Sequence, residues 1–415
     1  MPGAALTSVL VILLIVIAVG PRYRTVSGSP AAAERIAGID VAAPPLAIRH
    51  VGVPTVTGGL DDAMVAGVLS DVGAFWAAAL PADFGKRFVP LAGGYVSIDS
   101  TAASGTSYCV SSPDQISGNA YYCPTGDAIV YDSAGLVPVL IGHYGVGGLT
   151  AAFAHEFGHA MQARIGPTAA DRSAHPTLYP TILIEAQGDC FAGALLSWAV
   201  AGHAEHIRLP ESSMVRAVAP LLDFGDPVGV PVGDATAHGL AVDRLTAVLL
   251  GYRQGPAACH ALTRAAMTPT LGRAGLVDTP AADRFAGPAA TLAAARTSVS
   301  AFLQEVLPNR GSASSAAPSA ADLTAAQPYG QFAEAATLAL AAGRSATGSA
   351  DGAACFTGAW TASVFGHAKT GALGSWGGDA DEALNMLRAR PAADFSELGA
   401  YADGFAKGWT GCSGR

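Results

Sequence analysis

The feature that most constrains this chain is the pentapeptide HEFGH at residues 155–159, which lies in an otherwise uncharged run. Two histidines four residues apart share one face of an α-helix, so both imidazoles can reach one ion. Zinc suits two neutral histidine nitrogens and a carboxylate, and a catalytic site leaves its fourth position to water. Glu156 lies beside that face and can take the proton of this water molecule. The motif predicts a catalytic zinc site with His155 and His159 as ligands, on a helix spanning about 150–165.

A second helical segment supplies a third ligand. It begins at Pro180 and ends at Gly202, since proline favours the start of a helix and glycine the position just after its end. Glu185 and Asp189 are four residues apart in this segment and therefore share a face. We assign Glu185 to the metal, and Asp189 to the free ring N–H of a ligand histidine, in the first place His155. The reverse assignment, with Asp189 as the ligand, stays open.

Histidines on an alanine-rich helix can instead be hydrogen-bonded core residues, which is the usual role of a lone buried histidine. An HExxH motif followed by E-x-x-x-D on the next helix favours a metal ion over that interpretation. Three further histidines are weaker candidates, because one lies in the connecting loop and two follow the second helix in a polar stretch, where solvated surface side chains are expected: His175, His203 and His206.

Composition limits the classes of function. The chain has 415 residues, of which 51% are hydrophobic and 13% are charged, and this balance excludes an intrinsically disordered protein. The formal net charge is −9 and no cluster of lysine and arginine is present, so a nucleic-acid-binding surface is excluded. The glycine-rich stretches lack the strand–GxGxxG–helix context of a nucleotide site. We expect an alanine-rich, mainly helical protein with zinc as its only cofactor.

The N-terminus indicates the compartment. Residues 1–25 contain an uncharged apolar run at the lower limit of a membrane span, and residues 26–50 have the composition of a tether. Arg22 and Arg24 follow the run, and by the positive-inside rule they favour a cytoplasmic body. Six cysteines without a CxxC pair favour disulfides formed outside the cytoplasm. We expect a single-pass anchor with an extracytoplasmic body, or a secreted protein if the small residues at 31–33 form a cleavage site.

Two parts of the chain resemble each other. The sequence DCFAGALLSWAV at 189–200 is echoed by ACFTGAWTASVF at 354–365, and GYRQGPAAC at 251–259 is echoed by GFAKGWTGC at 404–412. We infer a diverged internal repeat, in which one disulfide ties the first helix of each copy to its last. Chance similarity between alanine- and glycine-rich helices is the alternative.

The repeat predicts both the cysteine pairing and the loss of the metal site from the second copy. Ala350 and Ala354 stand where the first copy has Glu185 and Asp189, and no HExxH precedes them. The second copy is therefore expected to be a metal-free structural unit. The predicted disulfides are Cys190–Cys259, Cys355–Cys412 and, by elimination, Cys109–Cys123.

The expected fold is mainly α with a small β element (α+β): a zincin-like catalytic half followed by a helical pseudo-repeat. A helix is predicted from Leu60 to Leu80, ended by Pro81, and Gly147 and Gly148 are expected to precede the HExxH helix. Two strand patterns lie at Tyr95–Ile98 and Ala128–Tyr131, and the segment 127–132 is either an edge strand that holds an extended peptide or a core strand. The segments in order are the anchor or signal 1–25, the tether 26–50, the metallopeptidase domain 51–308, the linker 309–325 and the pseudo-repeat 326–415.

Four stretches together resemble the bacterial neutral zinc metallopeptidase family: HEFGHAMQ at 155–162, EAQGDCFAG at 185–193, SYCV…YYCPTGDAIVYD at 108–132 and HGLAVDRLTAVLLGYRQGPAAC at 238–259. The resemblance covers about residues 60–260. It implies a membrane-anchored zincin that cleaves peptide or protein substrates, with Glu185 as third ligand and Glu156 as base. The chain departs from the second motif at Ala186 and Gly188, and neither is expected to affect the ligand set.

The expected reaction is peptide-bond hydrolysis, in which Glu156 takes a proton from the zinc-bound water and passes it to the leaving amine. The oxyanion needs a donor besides zinc, and His238 is the candidate, with Tyr252 behind it; both residues could equally pack or cap. The alternative function is a non-catalytic, zinc-stabilised envelope protein that binds a partner through its helical body. Glu156 favours the enzyme, because a structural zinc site needs no base.

Overall fold

The structure, a computed structural model, describes residues 46–52, 58–226, 234, 237–267, 287–308, 317–364 and 377–414. The predicted anchor, most of the predicted tether and residues 309–316 of the predicted linker lie outside the described residues. Within the described ranges, helices of ten residues or more and one small sheet form the fold, which confirms a mainly helical class.

The elements are as follows. The long helices are α1 (Gly58–Phe84), α2 (Gly145–Ile165), α3 (Thr181–Val200), α4 (Met214–Asp223), α5 (Ala241–Gln254), α6 (Pro288–Val306), α7 (Gln331–Thr347), α8 (Ala350–Val364), α9 (Gly377–Arg388) and α10 (Phe395–Lys407). The strands are β1 (Ile48–Val51), β2 (Gly94–Ile98), β3 (Ala120–Cys123) and β4 (Ala128–Asp132). Shorter α-helical segments lie at Leu136–Val139, Ala169–Ala174, Pro256–His260 and Ala320–Ala326.

The strands form one sheet in the order β1-β2-β4-β3. β1, β2 and β4 are parallel, whereas β3 joins β4 in the antiparallel sense. The two predicted strands are confirmed as parts of β2 and β4, and the short strands β1 and β3 were not predicted. The segment 127–132 is an interior strand, because β4 has a neighbour on each side. The edge strand that packs against α2 is β3.

Two helices extend past their predicted ends. α1 continues to Phe84 with Pro81 inside its last part, where proline removes one helical hydrogen bond without ending the helix. α2 begins at Gly145, so Gly147 and Gly148 lie inside it rather than before it. A Cβ at Gly147 would lie 2.8 Å from the Cβ of Ala217 on α4. The missing side chain therefore lets the two helices touch.

Two described stretches, Asp61–Phe84 and Leu136–Ile165, are long and apolar enough to span a membrane. Both are also core helices of the fold, since 67% and 56% of their most apolar parts are buried inside the protein. Trp76 of α1 and Phe153 of α2 are almost inaccessible to solvent. Their apolarity is therefore explained by packing within the protein.

The second half of the chain repeats the helix order and contacts of the first. In the first copy (α1–α5), α2 packs against α1, α3 and α4, and α5 packs against α3 and α4. In the second copy (α6–α10), α7 packs against α6, α8 and α9, and α10 packs against α8 and α9. The same five-helix arrangement is therefore built twice.

Glycine contacts establish which residues correspond. In each copy, two glycines let a pair of helices touch backbone to backbone, and a Cβ there would lie 2.1 Å or less from a carbonyl oxygen. The contacts are Gly193 with Val248 and Gly251 with Cys190 in the first copy, and Gly358 with Tyr401 and Gly404 with Cys355 in the second. These glycines stand at equal distances from the cysteines in both copies, so chance similarity does not explain the repeat.

The three disulfides have the predicted pairing. They are Cys109–Cys123, Cys190–Cys259 and Cys355–Cys412. The second joins α3 to the segment after α5, and the third joins α8 to the turn after α10, which is the same place in each copy. Disulfides of this kind indicate an oxidising environment.

The second copy begins earlier in the chain than the sequence indicates. The Thr291 hydroxyl of α6 lies 3.0 Å from Gln331 Oε1 on α7, and the Phe302 ring of α6 lies 5.3 Å from that of Phe356 on α8. The predicted linker 309–325 therefore falls inside the second copy, between α6 and α7. The described part of that stretch contains the short helix Ala320–Ala326, and a serine- and alanine-rich composition need not indicate a boundary between two units.

Candidate metal centre

Three side chains from two helices converge on one point. α2 carries His155 and His159, and α3 carries Glu185. His155 Nε2 lies 3.1 Å from His159 Nε2 and 3.2 Å from Glu185 Oε2. His159 Nε2 lies 3.5 Å from the same carboxylate oxygen. The three predicted ligands are together, and this group could hold a metal ion.

The spacing fits a small tetrahedral ion. Ligand atoms about 2.0–2.2 Å from zinc and at tetrahedral angles lie about 3.3–3.6 Å from one another. The three separations here, 3.1, 3.2 and 3.5 Å, are close to that range. The group therefore needs little rearrangement to bind zinc.

The partners of the two imidazoles leave both Nε2 atoms as acceptors. His155 Nδ1 lies 2.8 Å from Asp189 Oδ1, a carboxylate that can only accept. His159 Nδ1 lies 2.9 Å from Gln162 Oε1, and the amide nitrogen of Gln162 donates to a backbone carbonyl. In neutral imidazoles each Nδ1 then carries the proton, and both Nε2 lone pairs face the Glu185 carboxylate. Lone pairs held this close repel one another unless a cation lies between them.

The buried charges around the group leave an excess of negative charge. Three carboxylates lie at the group, those of Glu156, Glu185 and Asp189. Arg244 interacts with Asp189 and Glu185 and also with Asp226, and Arg172 interacts with Glu185. With neutral imidazoles, these four carboxylates against two guanidinium groups leave a formal charge of about −2. A divalent cation would balance it.

The pKa values show how strongly the centre attracts positive charge. Burial alone would lower the pKa of His155, but the carboxylates of Asp189 and Glu185 outweigh it and raise the pKa to about 10. Burial also opposes the charged form of His159, but the carboxylate of Glu185 outweighs it and raises the pKa of this imidazole. Burial would raise the pKa of Glu185, yet the two imidazoles hold it well below its ordinary value. Protons therefore compete with a metal ion for this group.

Glu156 lies beside the ligand group without taking part in it. Burial raises the pKa of its carboxyl group, and its charge interacts with both ligand histidines, with Glu185 and with His238. In the described part of the chain, no hydrogen bond or ion pair to this carboxylate is found. A desolvated carboxylate without a partner can accept a proton and return it.

His238 lies at the edge of the group. Its Nε2 atom is 3.7 Å from Glu185 Oε2, but it is outside the set of ligand atoms that all lie within 4.8 Å of one another. Asp226 accepts the backbone N–H groups of His238 and Gly239, each at 2.7 Å, and so fixes the segment that leads into α5. The imidazole therefore faces the centre from outside the ligand set.

Tyr252, the second candidate for the oxyanion donor, packs against another helix instead. It lies two helical turns beyond Arg244 on α5, and its ring is 5.1 Å from that of Phe395 on α10. Tyr252 is therefore a packing residue rather than a residue at the metal centre.

One of the weaker histidine candidates differs from its prediction. His206 is buried rather than solvated, and its Nδ1 atom lies 2.8 Å from Asp71 Oδ1 on α1. The same carboxylate accepts the backbone N–H groups of His206 and Ile207, which ties a polar loop to a core helix. His203 is exposed, as predicted, and His175 is exposed as well.

Three residues that matter for the centre were missed. Arg244 donates to both carboxylate oxygens of Asp189, at 2.8 and 2.7 Å. Gln162 was not assigned, although its position three residues after His159 could have identified it. Gly188, expected to be irrelevant, lies against the His155 ring, since a Cβ there would be 2.9 Å from Cε1 of His155.

In the second copy, other residues occupy the positions of the metal-centre residues. Gly158 touches Gly188 and Phe191 in the first copy as Gly343 touches Ala353 and Phe356 in the second. By this correspondence Leu340, Arg344, Ala350 and Ala354 replace His155, His159, Glu185 and Asp189. Glu397 stands in the place of Arg244 and forms an ion pair with Arg390. The equivalent place in the second copy therefore lacks metal ligands.

No protein-family model matches this chain, and neither a curated protein nor a solved structure does. The resemblance carried by the four sequence stretches therefore stays a prediction. A function has to be argued from the geometry of the centre.

Proposed function

We propose that the protein is a zinc-dependent peptidase of the HExxH type that acts outside the cytoplasm. The observation that carries the proposal is the convergence of His155, His159 and Glu185 beside Glu156, a desolvated carboxylate without a partner in the described residues. A zinc site that only stabilises structure closes all four positions with protein ligands. Three converging ligands with a free carboxylate beside them fit catalysis better.

The residues present suit zinc. His155, His159 and Glu185 would hold it, while Asp189 and Gln162 would keep the two imidazoles in the required tautomer. Imidazole ligands favour zinc over magnesium and calcium, which prefer oxygen ligands. Zinc bound there would supply a Lewis acid for the scissile carbonyl group and lower the pKa of a water molecule.

Glu156 would move the proton. Its carboxylate takes a proton from the attacking water and delivers it to the leaving amine. The pKa of this group is raised by burial, and a raised pKa favours the protonated carboxyl group needed for the second of these transfers.

The substrate would be a peptide or an unfolded protein segment. β3 is an edge strand next to the HExxH helix, and a free strand edge can hold an extended peptide through main-chain hydrogen bonds. His238 Nε2, which faces the centre from outside the ligand set, would donate to the oxyanion.

The compartment follows from the cysteines. Three disulfides persist only where the surroundings are oxidising. We therefore propose an extracytoplasmic body, tethered to the cell membrane by the apolar segment in residues 1–25 or released by its cleavage.

The test is turnover of an unstructured protein by the wild type and by Glu156→Gln, with zinc content measured in both. We expect about one zinc ion per chain in each protein and a turnover lower by about 10²- to 10⁴-fold in the variant. Glu205→Gln is the control, because Glu205 is an exposed carboxylate. A zinc-loaded wild type without turnover, or equal turnover by Glu156→Gln, would leave a zinc-binding structural protein instead.

A further inference from the structure

The start of α5 lies where the metal centre meets the second copy. α5 begins at Ala241, directly after the segment that carries His238. Its N-cap residue, Leu240, has no side-chain acceptor for the N–H groups that a helix leaves unpaired at this end. Asp381 of α9 supplies the missing acceptors: its two carboxylate oxygens accept the N–H groups of Ala241 and Val242, at 2.9 Å each.

The corresponding helix of the second copy is capped from within. α10 has Asp394 as its N-cap, and this side chain accepts the N–H of Ser396 at 2.9 Å. The two copies therefore differ at this point. The helix of the copy that carries the metal ligands is capped by the other copy, and the helix of the metal-free copy caps itself.

A short chain of contacts leads from this cap to the metal ligands. Arg244 lies in the first turn of α5 and donates to both oxygens of Asp189, at 2.8 and 2.7 Å. Asp189 lies 2.8 Å from His155 Nδ1 and so orients that ring. A displacement of the first turn of α5 would therefore move the guanidinium group, the carboxylate and the imidazole together.

We propose that Asp381 is a positioning residue for the metal centre: by capping α5 from the second copy, it holds Arg244 against Asp189 and His238 beside Glu185. The second copy, which has no metal ligands of its own, thereby contributes to metal binding in the first. The inference goes beyond the proposed function, because it requires a bound metal but no particular reaction.

The test measures zinc affinity of the full-length protein by competition with a chromophoric chelator, at a temperature where all variants are folded. Asp381→Asn keeps one acceptor oxygen but places an amide group against the backbone N–H groups, and Asp381→Ala removes both acceptors. We expect affinity to fall by a few-fold in Asp381→Asn and further in Asp381→Ala, which is less than the about 10- to 100-fold that a residue bonded directly to a metal ligand contributes. Measurements at about pH 8 keep the carboxylate charged, because burial raises the pKa of Asp381 to about 7.

The matched control is the neighbouring residue. Glu382 accepts the N–H groups of Phe332 and Ala333, at 2.9 and 3.3 Å, and so caps α7 inside the second copy. Glu382→Gln should weaken the second copy in a similar way but leave zinc affinity unchanged. Equal losses of affinity in Glu382→Gln and Asp381→Asn would overturn the proposal, because general destabilisation would then explain both.

A double-mutant cycle tests whether Asp381 acts through Arg244. In the Arg244→Gln background, Asp381→Asn should cause little further loss of zinc affinity, since the contact that it holds in place is already gone. If that background does not fold, Arg244→Lys replaces it, because lysine keeps the charge but cannot form the paired contact. An undiminished effect in that background, or an unchanged affinity in Asp381→Asn, contradicts the proposal. A wild type that binds no zinc would overturn both this inference and the proposed peptidase, whereas an unchanged affinity in Asp381→Asn overturns the inference alone.

Discussion

The carboxylate of Asp189 lies 2.8 Å from Nδ1 of His155, and the second polar contact of that carboxylate is a paired hydrogen bond from Arg244. One buried group therefore both orients a proposed metal ligand and neutralises a buried cation. Removing it should affect two properties of the protein that can be measured separately.

Asp189→Asn should lower zinc affinity by about 10- to 100-fold, because His155 loses the charged acceptor that orients it. It should also lower the free energy of unfolding of the metal-free protein, by up to about 3–5 kcal/mol, because buried Arg244 loses the carboxylate that pairs with it and keeps only its interactions with Glu185 and Asp226. Chelator competition and denaturant unfolding measure the two effects.

The double variant Asp189→Asn/Arg244→Gln separates the effect on stability from the effect on zinc affinity. It should regain part of the lost stability, since the guanidinium that lost its carboxylate is removed as well, but none of the zinc affinity. If Asp189→Asn loses stability while binding zinc as the wild type does, the carboxylate does not orient His155.

Gly188→Ala should weaken zinc binding although it replaces none of the three ligands. The added Cβ would lie 2.9 Å from Cε1 and 3.0 Å from Nδ1 of His155, so the ring must shift, at a cost of about 1–3 kcal/mol. Gly73→Ala in α1 is the control, because a Cβ there meets nothing within 4 Å and should raise stability by about 0.5–1 kcal/mol. Equal zinc affinity in Gly188→Ala and the wild type would show that the ring has room to move.

The local part of the centre could be predicted from the sequence. Two histidines four residues apart, followed by an acidic pair with the same spacing, fix which side chains share a helix face, and His155, His159 and Glu185 do converge. The cysteine pairs could also be predicted, because the repeat equates Cys190 with Cys355 and so limits the combinations.

The remaining contacts depend on how distant elements pack, which local spacing does not encode. Arg244 reaches Asp189 across 55 positions, and Asp381 reaches Ala241 across 140. Gly188 matters only because α2 passes close enough to bring an imidazole against it. Short strands such as β1 and β3, with four residues each, are stabilised mainly by their neighbours.

The stabilisation that zinc gives should increase with pH. Without metal, the raised pKa of His155 contributes stability that is fully present below the ordinary value of 6.5 and is lost as the pH rises through about 10. The depressed pKa of Glu185 contributes stability that is present above its ordinary value of 4.5 and is lost as the pH falls through the lowered pKa. Zinc requires the unprotonated imidazoles. As the pH rises, the protonated imidazole stabilises the metal-free protein less, so zinc has to displace less proton-linked stability and its own stabilising effect increases.

Thermal unfolding at several pH values between about 6 and 9, with and without zinc, measures this effect. The difference in Tm should widen steadily with pH, and zinc binding should release protons into a weakly buffered solution. A constant difference would mean that zinc and protons do not compete for the same nitrogens.

The duplicated disulfides provide a matched pair. Cys190–Cys259 and Cys355–Cys412 close loops with sequence separations of 69 and 57, so replacing either pair with alanines should cost about 4 kcal/mol by loop-closure entropy. Cys190 follows Asp189 directly on α3, so only the first replacement should also lower zinc affinity. Equal zinc affinities in the two double-alanine variants would contradict this expectation.

His238 should contribute to turnover but not to metal binding. Its Nε2 atom faces the centre at 3.7 Å from Glu185 Oε2, yet it lies outside the ligand set. His238→Ala should therefore keep its zinc and lower kcat by about 10²-fold, the usual effect of losing one oxyanion donor, with little change in KM. Tyr252→Phe is the control, because Tyr252 packs against Phe395 away from the ligand group. If His238→Ala loses its zinc, the imidazole is a fourth ligand, and the open coordination position that the proposed hydrolysis requires is not there.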